Sequence, residues 1–93
     1  MNGKTELIAI DLHPDEKKLI LDLAGFWVTD ETSLADLRNP RKKWIRFNPS
    51  VVSELIGELS YHYNRCRNAA RSELLDALIS HLENVLSGNG HGL

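Results

Sequence analysis

The spacing of apolar positions changes at each proline of the chain. Residues 5–12, TELIAIDL, have a short apolar, isoleucine-rich centre and predict a strand. Pro14 follows, with Asp15 and Glu16 behind it, the form of a helix start with proline at its first position and acids in its first turn. Leu19, Ile20, Leu23, Phe26 and Trp27 then recur at helical spacing, and Gly25 stands where that element would close. Leu19, Leu21 and Leu23 also alternate, so a hairpin turning at HPDE, with 15–24 as its second arm, fits the same residues. Thr29 or Asp30 can cap a short second helix, ETSLADLR, which stops before Asn39-Pro40 because proline disfavours helix in the preceding residue. Lys43 to Phe47 predicts a second strand, and Asn48 caps a third helix opening with Pro49.

Residues 49–87 hold no proline and only Gly57 as a weak breaker. One long helix is nevertheless disfavoured. At 100° per residue the apolar stripe of Val52, Leu55, Ile56, Leu59, Tyr63 and Cys66 gives way to a second stripe, from Leu74 to Leu86, about 120° further round. A supercoiled helix would drift slowly in the opposite sense. The jump predicts a break at Asn64 to Asn68, where asparagine tolerates a left-handed turn, and a fourth helix with Ser72-Glu73 near its start and an end near Leu86. The fourth helix carries seven large aliphatics, a face wider than one packing partner needs. It would both fill the centre of the fold and offer Leu75, Ile79, Leu82 and Leu86 to a second copy of the chain. Together the elements predict a small, helix-dominant α+β fold, β-α-α-β-α-α with a C-terminal αα-hairpin. Residues 1–87 would form a single compact domain, and 88–93 a disordered tail.

Two segments resemble each other. IDLHPDEKKLILDLA (10–24) and IRFNPSVVSELIGELS (45–60) align with a single one-residue gap. The second is amphipathic as a helix after its proline, so by parallel the first is also strand then helix. Two such units can set their strands side by side about a pseudo-twofold axis or exchange strands between subunits.

Length and composition narrow the class. Ninety-three residues at 42% hydrophobic make one small domain, for which dimerisation is a natural route to added stability. The single cysteine, Cys66, rules out an internal disulfide framework and fits a reducing compartment. Only four consecutive apolar residues precede Asp11, too few for a secretory leader, and no run is long enough to span a membrane. The expected location is cytoplasmic.

Net charge is −2, unevenly spread. Residues 1–37 carry three cations and eight acids, residues 38–71 eight cations and two acids, and residues 72–93 three acids and no cation. The middle either meets an anionic partner or pairs with the flanks. Its focus is RNPRKKWIRFNP (38–49), with five cations and no acid. On a strand, Ile45 and Phe47 would face the helices while Lys42, Trp44 and Arg46 face outward, able to meet phosphates or stack on bases. Arg41, Lys42, Lys43, Trp44 and Arg46, helped by Arg65 and Arg67, are thus candidate nucleic-acid or anion contacts.

Other candidate chemistry is sparse. His62 and Cys66 share a helix side at half-zinc-site spacing, and His81 could approach them, but no second ligand pair is visible. Arg65, Arg67 and His62 could activate Cys66 as a nucleophile, but nothing indicates an oxyanion site or a substrate cleft, and no glycine-rich phosphate loop follows either strand. Neither catalysis nor a cofactor is expected. Tyr61 lies on the polar side of the third helix with Arg65 one turn on, a candidate partner contact.

The stretch KKWIRFNPSVVSELIGELS resembles the strand, proline-containing turn and first helix of the ribbon-helix-helix family of dimeric DNA-binding regulators, and RSELLDALISHLE (71–83) resembles its second helix. That resemblance implies strands paired across a dimer, with Lys42, Trp44 and Arg46 in the major groove. The chain departs from the pattern in its acidic flanks, in a related unit ahead of the match, and in having no glycine at 60–70. The leading expectation is a non-catalytic regulatory or adaptor protein that pairs with itself and with a further protein and has no membrane partner. The alternative is a nucleic-acid-binding regulator using strand 42–46.

Overall fold

Alternation decides how the two short strands lie. In the computed structural model, which describes residues 7–91, β1 (Ile8–Asp11) and β2 (Trp44–Phe47) form an antiparallel ribbon. Ile10, Ile45 and Phe47 point inward and are fully buried, whereas Ala9, Trp44 and Arg46 are exposed. A one-residue slip in register would exchange these two sets, so burial pins the pairing. Ile8 lies opposite Phe47, Ala9 opposite Arg46, Ile10 opposite Ile45 and Asp11 opposite Trp44. Both strands belong to one chain, so the ribbon that the family resemblance placed between two subunits forms within a single subunit.

The register carries the internal repeat into three dimensions. Ile10 and Ile45 are equivalent in the two sequence segments, and they face each other, so a pseudo-twofold axis passes between them. Each strand then enters a helix through the same device. Pro14 opens α1 (Pro14–Ala24) and Pro49 opens α3 (Pro49–Arg65), both at a position whose missing N–H would be unpaired in any case. Residues 15–24 are therefore helical and not a hairpin arm. Glu16 Oε1 accepts from the His13 N–H at 2.8 Å, and Asn48 Oδ1 accepts from the Ser50 N–H at 3.0 Å. These bonds satisfy donors that a helix start would otherwise orphan.

α1 ends sooner than its apolar spacing implies. Its helical hydrogen bonding gives way at Gly25 to one turn of 3-10 helix, Gly25–Trp27, and the chain then runs extended through Val28. Leu19, Ile20 and Ala24 are buried, but Phe26 is 65% and Trp27 37% exposed. The two rings predicted on the core stripe instead lie outside it. α2 (Glu31–Arg38) has Asp30 as its cap, bonded to the Ser33 N–H at 3.0 Å, and ends at Arg38, two residues before Pro40.

The break in the C-terminal half falls between α3 and α4 (Ala69–His91). It is not made by a left-handed asparagine at the end of α3. Asn64 is helical, Cys66 closes α3 in extended backbone, and Asn68 caps α4 through its Oδ1 on the Arg71 N–H at 2.9 Å. α4 continues to His91, past the end expected near Leu86; residues 92 and 93 lie outside the described residues. The core is assembled from every element: Ile10, Ile45 and Phe47 from the ribbon, Leu19 and Ile20 from α1, Leu37 from α2, Val52, Leu55 and Leu59 from α3, and Leu75, Leu78, Ile79 and Leu82 from α4. Each such aliphatic contributes about 1.5–3 kcal/mol by leaving water. Leu75, Ile79 and Leu82, predicted as a seam for a second copy, are consumed here because α4 packs against α3 and α1 of its own chain. The fold is α+β and helix-dominant, with four α-helices, one 3-10 turn and a two-stranded sheet among the described residues.

The second helix of each unit covers the outer edge of the other unit's strand. From α2, Ser33 Oγ donates to Arg46 O at 2.5 Å and Asp36 Oδ2 accepts from the Arg46 N–H at 3.1 Å. From α4, His81 Nε2 lies 2.9 Å from Asp11 O and 3.2 Å from Asp11 Oδ1. Both of those oxygens are acceptors, so Nε2 carries the ring proton. Asp11 and Arg46 are equivalent in the repeat, so the two arrangements are related by the pseudo-twofold, with the acid on the strand in one and on the helix in the other. On β2 these bonds satisfy the outward N–H and C=O of Arg46, groups that would otherwise be open to another strand.

Candidate functional site

Two clusters carry the side chains that the fold leaves available. The first lies on the outer surface of α3 and the adjoining 3-10 turn. Glu58, Tyr61, His62 and Arg65 recur at intervals of three, one and three residues and so share one side of the helix. Contacts link them in series. Trp27 Nε1 donates to Glu58 Oε1 at 3.3 Å, and Glu58 Oε2 lies 3.3 Å from His62 Nε2. The His62 ring meets Tyr61 edge-on with centroids 5.4 Å apart, and the Arg65 guanidinium stands 4.5 Å over the Tyr61 ring. Phe26 extends the series beyond Trp27, again at 5.4 Å between centroids. The result is a belt of three exposed aromatics, of which Trp27 is tied to Glu58 by a hydrogen bond and Tyr61 to Arg65 by its ring, while Phe26 packs on Trp27. Tyrosine, tryptophan and arginine are the residues that contribute most at protein interfaces.

Of this belt, Tyr61 and Arg65 were legible as candidates; Phe26, Trp27, Glu58 and His62 were not. The signal that could have found Phe26 and Trp27 is Gly25 immediately before them, a residue that ends α1 and frees the next two side chains from its stripe. Gly57 lies one turn before Tyr61, and a methyl group built there meets nothing within 4 Å inside the chain. Gly57→Ala is therefore expected to raise stability by about 0.5–1 kcal/mol through helix propensity, read as a higher urea midpoint with an unchanged slope.

The second cluster is the basic loop, in two parts. Arg46 is not free to read a partner: its Nε and Nη2 each lie 2.9 Å from the Asp36 carboxylate, and Lys42 Nζ is 3.8 Å from the same group. The Asp36 side chain is only 4% exposed, so the pair works under weak screening on the acid side. Hydrogen bonds from the Arg46 guanidinium, opposed by burial, hold its carboxyl at about 2, and the same contact pushes Arg46 upward. Trp44, 55% exposed, stands opposite Asp11 on the ribbon's outer face. That face thus presents a carboxylate and a neutralised arginine where phosphate contact would need free cations.

The rest of the loop is wound around a buried ammonium. Lys17 is 5% exposed, and its Nζ donates to Asn39 O and to Lys42 O, both at 2.7 Å. Lys42 N–H returns to Asn39 O at 3.1 Å, and Asn39 Oδ1 accepts from Arg41 N–H at 3.0 Å. Arg41 and Lys43 remain exposed on this pinned turn. Arg67 is exposed in the α3–α4 connection.

Cys66, His62 and His81 do not converge. Cys66 Sγ contacts Asn68 O at 3.4 Å, His62 faces Glu58, and His81 belongs to Asp11. Among the described residues no three histidine, cysteine or acidic side chains gather closely enough to hold a metal ion, and no helix is long and apolar enough to cross a membrane. Leu86 is half-buried at the flank of α4, bordering a shallow depression with Ile56. Comparison of the chain with protein-family models, with curated proteins and with solved structures finds no match.

Proposed function

We propose that this is a small non-catalytic regulatory or adaptor protein that acts through protein–protein contacts and associates with a second copy through the outer face of α3 and the adjoining 3-10 turn. The observation that carries the reading is the exposed belt of Phe26, Trp27 and Tyr61, in which Trp27 and Tyr61 contact side chains of α3. Rigid aromatics of this kind bind at low entropic cost.

Self-association is favoured by the charge order along α3. Glu54, Glu58, Tyr61 and Arg65 follow the four-three-four spacing of a helix seam, acidic at one end and basic at the other. Two copies packed antiparallel would set Glu54 against Arg65 of the other copy twice, and Glu58 against the Tyr61 hydroxyl. A ribbon that reads nucleic acid is less well supported, because Asp36 already occupies Arg46 and Asp11 lies beside Trp44.

Sedimentation velocity over a concentration series tests the reading. Wild-type protein is expected to dimerise, and Tyr61→Ala to weaken dimerisation about tenfold, as truncating a central interface tyrosine typically does. Arg65→Glu should dissociate the dimer, and adding Glu54→Arg to it should restore association. A protein that stays monomeric at every concentration, or a dimer indifferent to both single substitutions, would contradict it.

A further inference from the structure

Between the start of α1 and the basic loop lies an open cleft of about 320 Å³, lined by Leu12, His13, Pro14, Lys17, Pro40, Arg41, Lys42 and Lys43. Four of those eight residues are cations and none is an acid. Glu16, in the first turn of α1, is buried and accepts from the His13 N–H, and Asp36 lies 3.8 Å from Lys42, which leaves Arg41 and Lys43 as the exposed cations without an acidic partner among the described contacts. Like charges gathered round one concavity repel each other, and an anion entering it would remove that repulsion.

The loop that brings three of these cations together is built and not incidental. Lys17 fixes the carbonyls of Asn39 and Lys42, which sets the turn from which Arg41 and Lys43 project. A cleft of this size is near the lower end for small-ligand sites, so it suits one compact anionic group better than an extended molecule.

We infer that this cleft binds a single phosphate group, held by Arg41 and Lys43 with the Lys17 ammonium at its back. The site is separate from the aromatic belt and does not depend on the association proposed above. Arg41 is suited to the role because its guanidinium can meet two phosphate oxygens at once, whereas Lys43 supplies a mobile point charge. The phosphate could belong to a small monoester or to a nucleic-acid backbone, and the chemistry of the cleft is the same for both.

Titration of the ¹⁵N-labelled chain with inorganic phosphate at low ionic strength, with matched chloride as control, tests this. Amide shifts are expected to saturate and to be confined to residues 12–17 and 39–43. Arg41→Ala and Lys43→Ala, both at exposed positions and so neutral for folding, should each weaken binding about tenfold, the loss of one charge-assisted hydrogen bond. Adenosine monophosphate and a short single-stranded oligonucleotide form the second arm. If the nucleotide binds as inorganic phosphate does and the oligonucleotide no better, the natural ligand is a small monoester. If the oligonucleotide binds tighter through the same amides, with an affinity that falls steeply with salt, the phosphate belongs to a polymer. Shifts that stay linear and match those of chloride would overturn the inference, as would binding that survives the combined Arg41→Ala and Lys43→Ala variant.

Discussion

Asp36→Ala is expected to lower the stability of the fold by about 2–4 kcal/mol, a large fraction of what a domain of this size has to lose. The carboxylate is buried and takes four contacts: the Arg46 N–H, Nε and Nη2, and the more distant Lys42. Its loss orphans a backbone donor on the outer edge of β2 and removes half of the tie between α2 and that strand. Arg46 is nearly half exposed and can turn to water, which keeps the loss below that of a fully buried pair. Asp36→Asn separates charge from shape, since an amide oxygen can still accept the backbone N–H.

The same residue sets an acid-side pH dependence. Its carboxyl lies at about 2 in the folded chain against an ordinary 3.8, so it is depressed. Its contribution is therefore fully present above about pH 4 and is lost as pH falls toward 2; the displacement corresponds to about 2 kcal/mol. Urea unfolding of wild type and Asp36→Asn across that window should show the gap between them closing as the pH drops. A gap that stays constant would mean that the ion pair contributes nothing to folding.

Lys17→Met is expected to cost about 3 kcal/mol, from two charge-assisted hydrogen bonds at about 1.5 kcal/mol each. Methionine retains the length and most of the apolar stem, so the substitution isolates the ammonium and its bonds to Asn39 O and Lys42 O. Because those carbonyls shape the turn, amides of residues 39–43 should exchange with solvent faster in the variant, ahead of any global unfolding. Unchanged stability together with unchanged exchange would show that the turn holds itself and that Lys17 only fills space.

What the residues disclosed in advance was mainly local. Pro14 and Pro49 at helix starts, Asp30 and Asn48 as caps, the stop before Pro40 and the break before Asn68 all depend on chemistry within a few positions, and all can be read from the chain. The inward set of the ribbon, Ile45 and Phe47, is equally local, because alternation alone assigns it. The failures are of another kind. Phe26 and Trp27 fit the stripe of α1 until Gly25 ends the helix, and periodicity carries no information about where backbone bonding stops. Leu75, Ile79 and Leu82 form a face wide enough for an outside partner, yet α1 and α3 already cover it from within; how many elements converge on one helix is a global property. Arg46 reads as a free cation in the sequence because Asp36, ten positions earlier, neutralises it only once α2 lies along β2. The basic run thus divides into Arg46 and Lys42, paired with the acidic flank, and Arg41 and Lys43, left open.

The pseudo-twofold between Ile10 and Ile45 has a consequence for how the fold responds to dilution. A strand with two helices, taken as a separate chain, would have to find its counterpart in solution, and the ribbon would come apart below some concentration. Here residues 39–43 join the halves, so each strand meets the other at an effective concentration in the millimolar range or above, fixed by the length of the connection. Cleaving that connection should make formation of the ribbon itself depend on protein concentration, over and above any contribution from the association of two copies.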